Sequence, residues 1–420
     1  MSSVSGWAPK RLTDLAEYIN GYAFKPEDWG KDGLPIIRIE QLKNPLASTD
    51  FFSGKIPEKL IIQNGDLLFS WSASLFLKIW QHGSAALNQH LFKVVEKENV
   101  DRFFLKAFIE FYLPELTAAS HGSTMKHITR KELERFSSLF PLSLIEQSKI
   151  AEVLATVDQA IEQTEALIAK QQRIKTGLMQ DLLTRGIDEH GQLRTEQTHA
   201  FKNSSLGRIP VEWEVATLGS VADISAGITL GKTHEGPDTV ELPYLRVANV
   251  QDGFLDLSEL KTIRIPKNHL EKYALEVGDV LMNEGGDFDK LGRGAVWEGQ
   301  VPLCMHQNHV FKVRPHKNKL ASNFLAAVSA SPYGKSFFMM ASKQSTNLAS
   351  INSTQLKAFP LPLPTHDEQI RIQSHFKRLD GALQGSQAEL KKQKSLKTAL
   401  MQDLLTGRKR VNDLLESVAA

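Results

Sequence analysis

The chain contains one seven-residue sequence twice. LMQDLLT begins at Leu178 and again at Leu400, 222 positions later in a chain of 420 residues. The same offset relates the pair Glu146-Gln147 to Glu368-Gln369. A long repeat constrains architecture more strongly than local propensity does, so it is considered before individual helices and strands are assigned.

The repeat extends upstream over the whole chain, with its landmarks in the same order. The two copies contain GWAPKRL and EWEVATL, LPIIRIEQL and LPYLRVANV, GDLLFS and GDVLMN, QHLFKV and NHVFKV, and then GSTMKHIT and QSTNLASIN. We interpret the chain as a tandem duplication. Each copy consists of a globular part followed by a helical part.

The helical parts show the 3,4 spacing of apolar residues that is typical of a coiled-coil seam. The predicted seam comprises Ile150, Leu154, Val157, Ile161, Ile168, Ile174, Leu178 and Leu182, and at the same offset Ile372, Phe376, Leu379, Leu383, Leu390, Leu396, Leu400 and Leu404. Pro141 and Pro364 precede the two helices, and Gly186 and Gly407 follow them. A helix of about 40 residues is roughly 60 Å long, which exceeds what one small domain can bury.

Polar residues interrupt the seam at equivalent places. Thr164 corresponds to Ser386, and Gln171 corresponds to Gln393. Such residues weaken a coiled coil but fix its register. Two related helices can pair antiparallel about a pseudo-two-fold axis, which would place Thr164 at the level of Gln393 and Gln171 at the level of Ser386. The sequence therefore predicts an antiparallel coiled coil that separates the globular parts.

Each globular part is predicted to be of the α+β class. Short β-branched and aromatic runs such as LPIIRIE, KLII, DLLFS and LFKVV are typical of strands, whereas residues 103–113 and 324–342 have the composition of helices. The expected divisions are globular parts at 1–143 and 207–364, helices at 144–185 and 365–407, a polar linker at 186–206 and a C-terminal tail at 408–420.

Composition places the chain among globular proteins of a reducing compartment. Hydrophobic residues make up 41% and charged residues 23%, and the formal net charge of +2 leaves the nature of the partner open. The single cysteine, Cys304, excludes a disulfide framework and is expected to be a small buried apolar residue. The N-terminus lacks the apolar stretch of a signal peptide, and no long apolar run is present, so we expect a cytoplasmic protein without a membrane segment.

Motifs of catalysis are absent apart from one degenerate pattern. The sequence has neither a Walker-type phosphate loop nor the dinucleotide-binding glycine pattern nor a metal-ligand spacing among its 13 histidines. Asp238, Glu259 and Lys261 satisfy the loose PD-ExK pattern of many nucleases, in which two acids hold a divalent metal. The first copy has no equivalent of this set. We therefore expect a protein that is not itself an enzyme and binds no metal or cofactor.

Polar loops suggest binding instead. They mix amides, hydroxyls, histidines, lysines and arginines, which suit contacts with base edges and phosphates. The candidate DNA-binding residues are Lys25, Ser70, Trp71, Ser72, Lys78, Asn88, Gln89, His90, Ser123, Lys126, Lys232, Thr233, His234, Asn283, Asp287, Lys290, Arg293, Gln307, Asn308, His309, Lys343, Ser345 and Asn347. These loops differ between the copies while the helices agree, which is expected if the copies do the same task on different targets.

These features resemble the specificity subunit of type I restriction-modification systems. The resemblance covers essentially the whole chain and rests on the repeated order of variable part and long helix, together with LMQDLLT and its Glu-Gln helix start. It implies two target recognition domains, each reading one half of a bipartite DNA site, and helices that set the spacer and dock two modification subunits. Those partners would bind S-adenosylmethionine and methylate adenine, and restriction subunits would use ATP and magnesium to translocate and cut DNA.

Two other functions remain open at this point. One is an interaction scaffold without nucleic acid, in which two protein-binding domains are joined by a coiled coil. The other is an independent endonuclease that uses Asp238, Glu259 and Lys261.

Overall fold

The chain forms two compact units, each of which contains parts of both long helices. The computed structural model describes residues 4–118, 127–231, 235–286, 290–344 and 349–411. Residues 1–166 and 387–420 form the first unit, and residues 167–386 form the second. The boundary between the units therefore falls within the long helices and not at their ends.

The first unit contains short strands, short helices and one end of each long helix. Its strands are β1 Trp7–Arg11, β2 Ala16–Asn20, β3 Leu34–Ile37, β4 Phe51–Phe52, β5 Ile61–Ile62, β6 Leu67–Ser70, β7 Phe76–Ile79, β8 Ala85–Leu87, β9 Leu91–Glu96 and β10 Ser137–Pro141. Its helices are α1 Leu12–Leu15, α2 Ile39–Lys43, α3 Arg102–Ala118 and α4 Arg130–Arg135, followed by the start of the long helix α5 Leu144–Thr184.

The second unit repeats this arrangement. Its strands are β11 Phe201–Ser204, β12 Gly207–Pro210, β13 Glu214–Thr217, β14 Ala222–Ala226, β15 Thr239–Leu245, β16 Lys261–Pro266, β17 Val280–Asn283, β18 Gly285–Gly286, β19 Gly294–Val296, β20 Met305–His306, β21 Val310–Pro315, β22 Lys343–Gln344, β23 Ala349–Ser350 and β24 Pro360–Leu363. Its helices are α6 Leu218–Val221, α7 Leu270–Tyr273, α8 Ser322–Ala330, α9 Pro332–Ala341, α10 Ser353–Lys357 and the start of the long helix α11 His366–Leu404.

The expected mixture of helices and strands is confirmed. The helical run at 103–113 lies within α3, and the run at 324–342 forms α8 and α9, which are separated just before Pro332. Proline is favourable at the first position of a helix because its missing N–H would have no partner there. The segment expected to be a linker contains β11, which forms a hairpin with β12 at the start of the expected globular part.

Each unit contains a four-stranded sheet of the same order. The orders are β2-β9-β6-β7 and β14-β21-β17-β19. Their registers correspond as well, since Ser70 pairs with Leu91 in the first unit and Asn283 pairs with Val310 in the second. A second sheet contains a parallel pair in each unit, β3 with β8 and β15 with β20.

One central strand of each four-stranded sheet is buried on both faces. All four residues of β6 and all four residues of β17 are buried. One face of the first sheet packs with α3 and the start of α5, and the equivalent face of the second packs with α8, α9 and the start of α11. Trp7 and Trp213 are buried in these cores at equivalent places. The globular part and the helix start of each copy therefore share one core.

The long helices run in opposite directions where they meet. In the first unit, Asp158 pairs with Lys397 and Glu165 pairs with Lys394. In the second unit, Lys175 pairs with Asp380. Residue numbers therefore rise along α5 as they fall along the facing part of α11.

Most residues of the predicted seam are buried or half-buried, and those near the helix ends belong to the cores of the two units. Ile150, Leu154, Ile161, Leu182, Ile372, Phe376 and Leu404 are buried, whereas Val157, Ile168, Leu178, Leu379, Leu383, Leu390 and Leu400 are half-buried. Buried glycine backbones with positive φ angles, +64° at Gly186 and +71° at Gly407, follow the two helices. This left-handed conformation ends a helix and favours glycine.

The assignment of Ile174 and Leu396 to the seam is wrong. Their side chains are 47% and 50% exposed. The adjacent residues Lys175 and Lys397 are half-buried, pair with Asp380 and Asp158, and continue the alternation of three and four residues from Gln171 and Gln393. Apolar character favoured the neighbouring residue, whereas a lysine can occupy a seam position when its ammonium reaches a carboxylate on the facing helix.

Candidate nucleic-acid interface

The candidate loops of the two units leave the same end of equivalent sheets. Trp71 follows β6 and His90 precedes β9, while Glu284 follows β17 and His309 precedes β21. Because these strand pairs are antiparallel with corresponding registers, each pair of residues meets at one sheet end. The fold therefore presents two side chains at the same place in both units.

In the first unit, this sheet end carries an aromatic cluster. The Trp71 ring lies 6.0 Å from the ring of His90, 5.9 Å from that of His127 and 5.6 Å from that of Phe92. Ser72 Oγ lies 3.3 Å from His90 Nδ1. The buried atoms Trp71 Nε1 and His127 Nδ1 have no hydrogen-bond partner within the described chain. An indole N–H donor and an imidazole nitrogen are thus unpaired within this cluster.

In the second unit, the equivalent place carries a histidine and a glutamate in contact. His309 Nδ1 lies 2.6 Å from Glu284 Oε2, and Asn308 Nδ2 lies 3.5 Å from His309 Nε2. A cavity of about 600 Å³ opens beside this pair and is lined also by Val247, Lys343 and Gln344. The two sheet ends therefore share a geometry but differ in chemistry.

Several candidate residues form hydrogen bonds inside the fold. Ser70 and Asn283 are fully buried, with Ser70 Oγ donating to Ser74 O and Asn283 Nδ2 donating to Val250 O over 3.1 Å. Asn88 is buried, and its Oδ1 accepts from His90 N over 3.2 Å. The interpretation of these residues and of buried Ser72 as exposed loop contacts is not supported, because their side chains shape the loops from within.

Other candidates are more accessible. Lys25, His90, His309 and Lys343 are exposed, and Lys78, Gln89, Lys290, Arg293, Gln307 and Asn308 are half-buried. Lys78 Nζ donates to Leu42 O over 3.0 Å, and Arg293 Nη1 donates to Gln251 Oε1 over 2.9 Å. Ser123, Lys126, Lys232, Thr233, His234, Asp287, Ser345 and Asn347 lie outside the described residues.

The strand behind each loop carries a lysine that faces inward. Lys93 and Lys312 occupy equivalent positions on β9 and β21, and Lys312 Nζ donates to Lys272 O and Ala274 O over 3.0 and 3.1 Å. Burial lowers the pKa of Lys312, and a nearby arginine, Arg314, acts in the same direction. Its carbonyl contacts hold a connecting segment on the sheet and give it a structural role.

Burial is the main cause of the pKa shifts of two neighbouring residues in the second unit. It lowers the pKa of His306 to about 4, although the hydrogen bond that Nδ1 donates to Val310 O over 2.7 Å opposes the shift. It raises the pKa of the Cys304 thiol to about 12. Cys304 is a buried free cysteine, which confirms its expected place in the core. Neither residue is poised for reaction at neutral pH.

The endonuclease hypothesis is wrong in its geometry. Asp238 adjoins Thr239, which pairs with Pro266 at one end of the β15–β16 hairpin, whereas Lys261 pairs with Tyr244 at the other end. Five residues of strand separate these ends by roughly 16 Å at 3.3 Å per residue. Glu259 forms an ion pair with Arg246 over 3.2 Å. The three residues cannot share one metal ion in this arrangement.

The repeated Glu-Gln pair anchors the start of each long helix, a role that the sequence alone does not indicate. Gln147 Oε1 accepts from Asp101 N over 2.7 Å and its Nε2 donates to Pro141 O over 2.9 Å, and Gln369 makes the matching bonds with Ala321 N and Pro364 O. Gln147 and Gln369 are fully buried. Each glutamine therefore fastens the start of a long helix to the globular part that precedes it.

The glutamates beside them bind arginines that follow the other helix. Arg410 Nε lies 2.5 Å from Glu146 Oε1 in the first unit, and Arg194 Nη1 lies 2.5 Å from Glu368 Oε1 in the second. Both glutamate side chains are no more than 3% exposed. These ion pairs connect the start of one helix with the segment that follows the end of the other, and they are identical in kind in the two units.

A family model decides the identity of this architecture. The model of the type I restriction modification DNA specificity domain matches residues 4–171 and again residues 210–393. The chain belongs to this specificity family. The resemblance inferred from the repeated motifs is thereby confirmed, and the two matches correspond to the two copies of the tandem repeat.

Curated relatives in the specificity family align over most of the chain. The EcoBI specificity subunit of Escherichia coli is 25% identical over 90% of this chain and 80% of its own length. The MjaVIII specificity subunit of Methanocaldococcus jannaschii is 26% identical over 97% of this chain and 94% of its own length.

Solved structures of similar proteins share the fold. The type I restriction-modification S subunit from M. genitalium superimposes with a TM-score of 0.58 at 15% identity, covering 95% of this chain and 96% of its own. A chain from a study of complex assembly in the type I R-M system gives 0.55 at 17% identity, covering 97% and 100%.

The described residues form neither a metal-ligand cluster nor a membrane-spanning helix. Within these residues, no three His, Cys, Asp or Glu side chains lie close enough to hold a metal ion together. None of the helices formed by these residues combines the length and the apolar character needed to cross a bilayer.

Proposed function

We propose that the chain is a DNA specificity subunit in which each unit reads one half of a bipartite double-stranded site. The observation that carries the proposal is the shared sheet end. Equivalent strands with corresponding registers present Trp71 and His90 in one unit and Glu284 and His309 in the other. Two units that recognise different base sequences need different side chains at the same position of a common scaffold, and this arrangement provides them.

The long helices supply the frame. We take them as an antiparallel coiled coil with pseudo-two-fold symmetry. The ion pairs Asp158–Lys397 and Lys175–Asp380 support this, because each residue of one pair is related to a residue of the other by 222 positions. The Glu165–Lys394 pair lies one residue from both Thr164 and Gln393, in agreement with the predicted register.

A rigid frame explains how two modest surfaces select one site. Once the first half-site is bound, the second is presented at high effective concentration when its distance matches the frame. A half-site at another distance is not presented at high effective concentration, so it adds no affinity. Helix length is thereby part of the DNA specificity.

The outward faces of the helices are proposed to dock two modification subunits. Ile174 and Leu396 are equivalent, apolar and about half exposed. Gln180 and Gln402 are equivalent and exposed further along the same helices. A surface that occurs twice fits two copies of one partner. Those subunits would hold S-adenosylmethionine, and restriction subunits with ATP and magnesium would complete the complex, while this cytoplasmic chain supplies no catalytic group.

Selection of DNA from a random duplex pool tests the proposal. The chain is mixed with candidate modification subunits, bound duplexes are separated by electrophoretic mobility shift, and the enriched sequences are determined. A motif in two parts with a constant spacer is expected. Enrichment of no motif, with retained binding of the protein partners, would favour the scaffold without nucleic acid.

A second comparison addresses catalysis. Asp238→Ala should leave DNA binding, methylation and cleavage by the reconstituted complex unchanged, since Asp238 lies apart from Glu259 and Lys261. Loss of cleavage alone would return the nuclease hypothesis to consideration.

A further inference from the structure

The cavity of the second unit contains a carboxylate where the first unit has an indole. We propose that Glu284, positioned by His309, accepts a hydrogen bond from an exocyclic amino group of cytosine or adenine at one position of the half-site. The inference rests on the proposed DNA-recognition function and names the chemistry of one contact within it.

The backbone of Glu284 is fixed on both sides. Its N–H donates to His309 O over 3.0 Å, and its carbonyl accepts from Ile351 N over 2.8 Å. The next residue is Gly285, where a Cβ atom would lie 2.6 Å from Ala349 O. Only glycine permits this close approach of β18 to β23 without a shift of the backbone. The carboxylate therefore extends from a rigid position.

The side chain of Glu284 is oriented by His309. A carboxylate can only accept, so the contact of 2.6 Å places the proton on His309 Nδ1. Glu284 Oε2 is occupied by this bond. Oε1 forms no hydrogen bond with the described residues, and the side chain is 29% exposed beside the cavity. One oxygen of an oriented carboxylate is thus available to a ligand.

The chemistry of this oxygen selects among base edges. In the major groove, cytosine N4 and adenine N6 donate, whereas guanine O6 and thymine O4 accept. A carboxylate accepts from the first two and repels the others, so it discriminates by both attraction and repulsion. Lys343 lines the same cavity. Its positive charge offsets the repulsion between the Glu284 carboxylate and nearby DNA phosphates.

The equivalent position of the first unit has a side chain without an acceptor for this contact. The equivalent position is Trp71, which contacts His90 through its ring and has no acceptor oxygen. An amino group at the corresponding base position would gain no hydrogen bond from it. The amino-group preference is therefore expected in the half-site of the second unit alone.

Base analogues that lack the amino group provide the test. The specificity subunit with its modification subunits is titrated with its selected duplex, and with duplexes in which single adenines or cytosines of the half-site read by the second unit are replaced by purine or 2-pyrimidinone nucleotides. For the unaltered protein, we expect the Kd to rise about tenfold at one position. The base replaced there identifies adenine or cytosine as the source of the amino group.

Variants assign the effect to Glu284. In Glu284→Met, the natural duplex should bind about tenfold more weakly, and the analogue at that position should cause no further loss. Glu298→Met is the matched control, because Glu298 is an exposed glutamate of the same unit. It should keep the tenfold difference between natural and analogue duplexes. An unfolding transition in urea that matches that of the unaltered protein shows that the variant is folded.

Three results separate the possibilities. A persistent tenfold difference in Glu284→Met, or no difference at any position in the unaltered protein, would overturn the inference. If Glu284→Met binds no duplex, Glu284→Asp is measured: a difference at the same position supports the carboxylate contact, and its absence at every position overturns it. Failure of the unaltered protein to select a bipartite sequence would refute the proposed function itself.

Discussion

Arg194 and Glu368 form a buried bidentate ion pair in the second unit. Their atoms Nη1 and Oε1 lie 2.5 Å apart, Nη2 and Oε2 lie 3.1 Å apart, and the side chains are 9% and 3% exposed. Trp213 Nε1 also donates to Glu368 Oε2 over 3.2 Å. Because Arg194 follows α5 and Glu368 begins α11, the pair holds the end of one long helix beside the start of the other.

Breaking this pair should destabilise the second unit strongly. Arg194→Met leaves Glu368 buried without its cation, and we expect the free energy of unfolding to fall by about 3–5 kcal/mol in urea titrations. The control is Arg185→Met, since the Arg185 side chain is 50% exposed. The double variant Arg194→Met/Glu368→Leu should be more stable than Arg194→Met alone. Equal stability of Arg194→Met and Arg185→Met would show that the pair contributes little.

Acid should destabilise the second unit through His306. Burial lowers its pKa to about 4 from the ordinary value of 6.5. Between pH 6.5 and 4, the unfolded chain therefore binds more protons than the folded chain, and stability falls as the pH falls, by about 3 kcal/mol in total. His306→Gln should remove this component from the pH dependence of unfolding. The exposed His190, replaced by Gln, is the control, and an identical acid response of all three proteins would contradict the assignment.

The docking proposal can be tested at two equivalent exposed residues. A charge at Ile174 or Leu396 should weaken an apolar contact with a partner without disturbing the fold, because both side chains are about half exposed. Native mass spectrometry of the assembled complex should show one modification subunit fewer with Ile174→Glu or with Leu396→Glu, and neither subunit with both. Phe254→Glu changes an apolar side chain that is 61% exposed on the second unit and should retain both. Full assembly of the double variant would exclude this surface.

The helices were predictable because their signals are local and repeated. Spacing of apolar residues, flanking prolines and following glycines placed α5 and α11 to within a few residues. The error at Ile174 arose because hydropathy was preferred to spacing. Lys175 has the correct spacing, but its suitability depends on Asp380, a residue on another helix that local pattern does not reveal.

The candidate interface was less predictable because a polar residue in a loop can face either way. Ser70 and Asn283 were selected by composition, but sheet registration places both inside. Conversely, His127 was not selected, although the fold brings its ring to Trp71. The contact of Glu284 with His309 joins residues 25 positions apart in sequence and depends on the pairing of β17 with β21.

The most direct measurement of the central claim is affinity as a function of spacer length. Duplexes carry the two selected half-sites with spacers varied by single base pairs, and Kd is measured with modification subunits present. The unaltered protein should show one narrow optimum. Deletion of residues 158–164 together with the facing residues 393–399 removes one heptad from each helix, about 10 Å at 1.5 Å per residue, and should move that optimum. Affinity that is independent of spacer length, or an optimum that the paired deletion leaves in place, would contradict the claim that the helices fix the distance between two DNA-reading units.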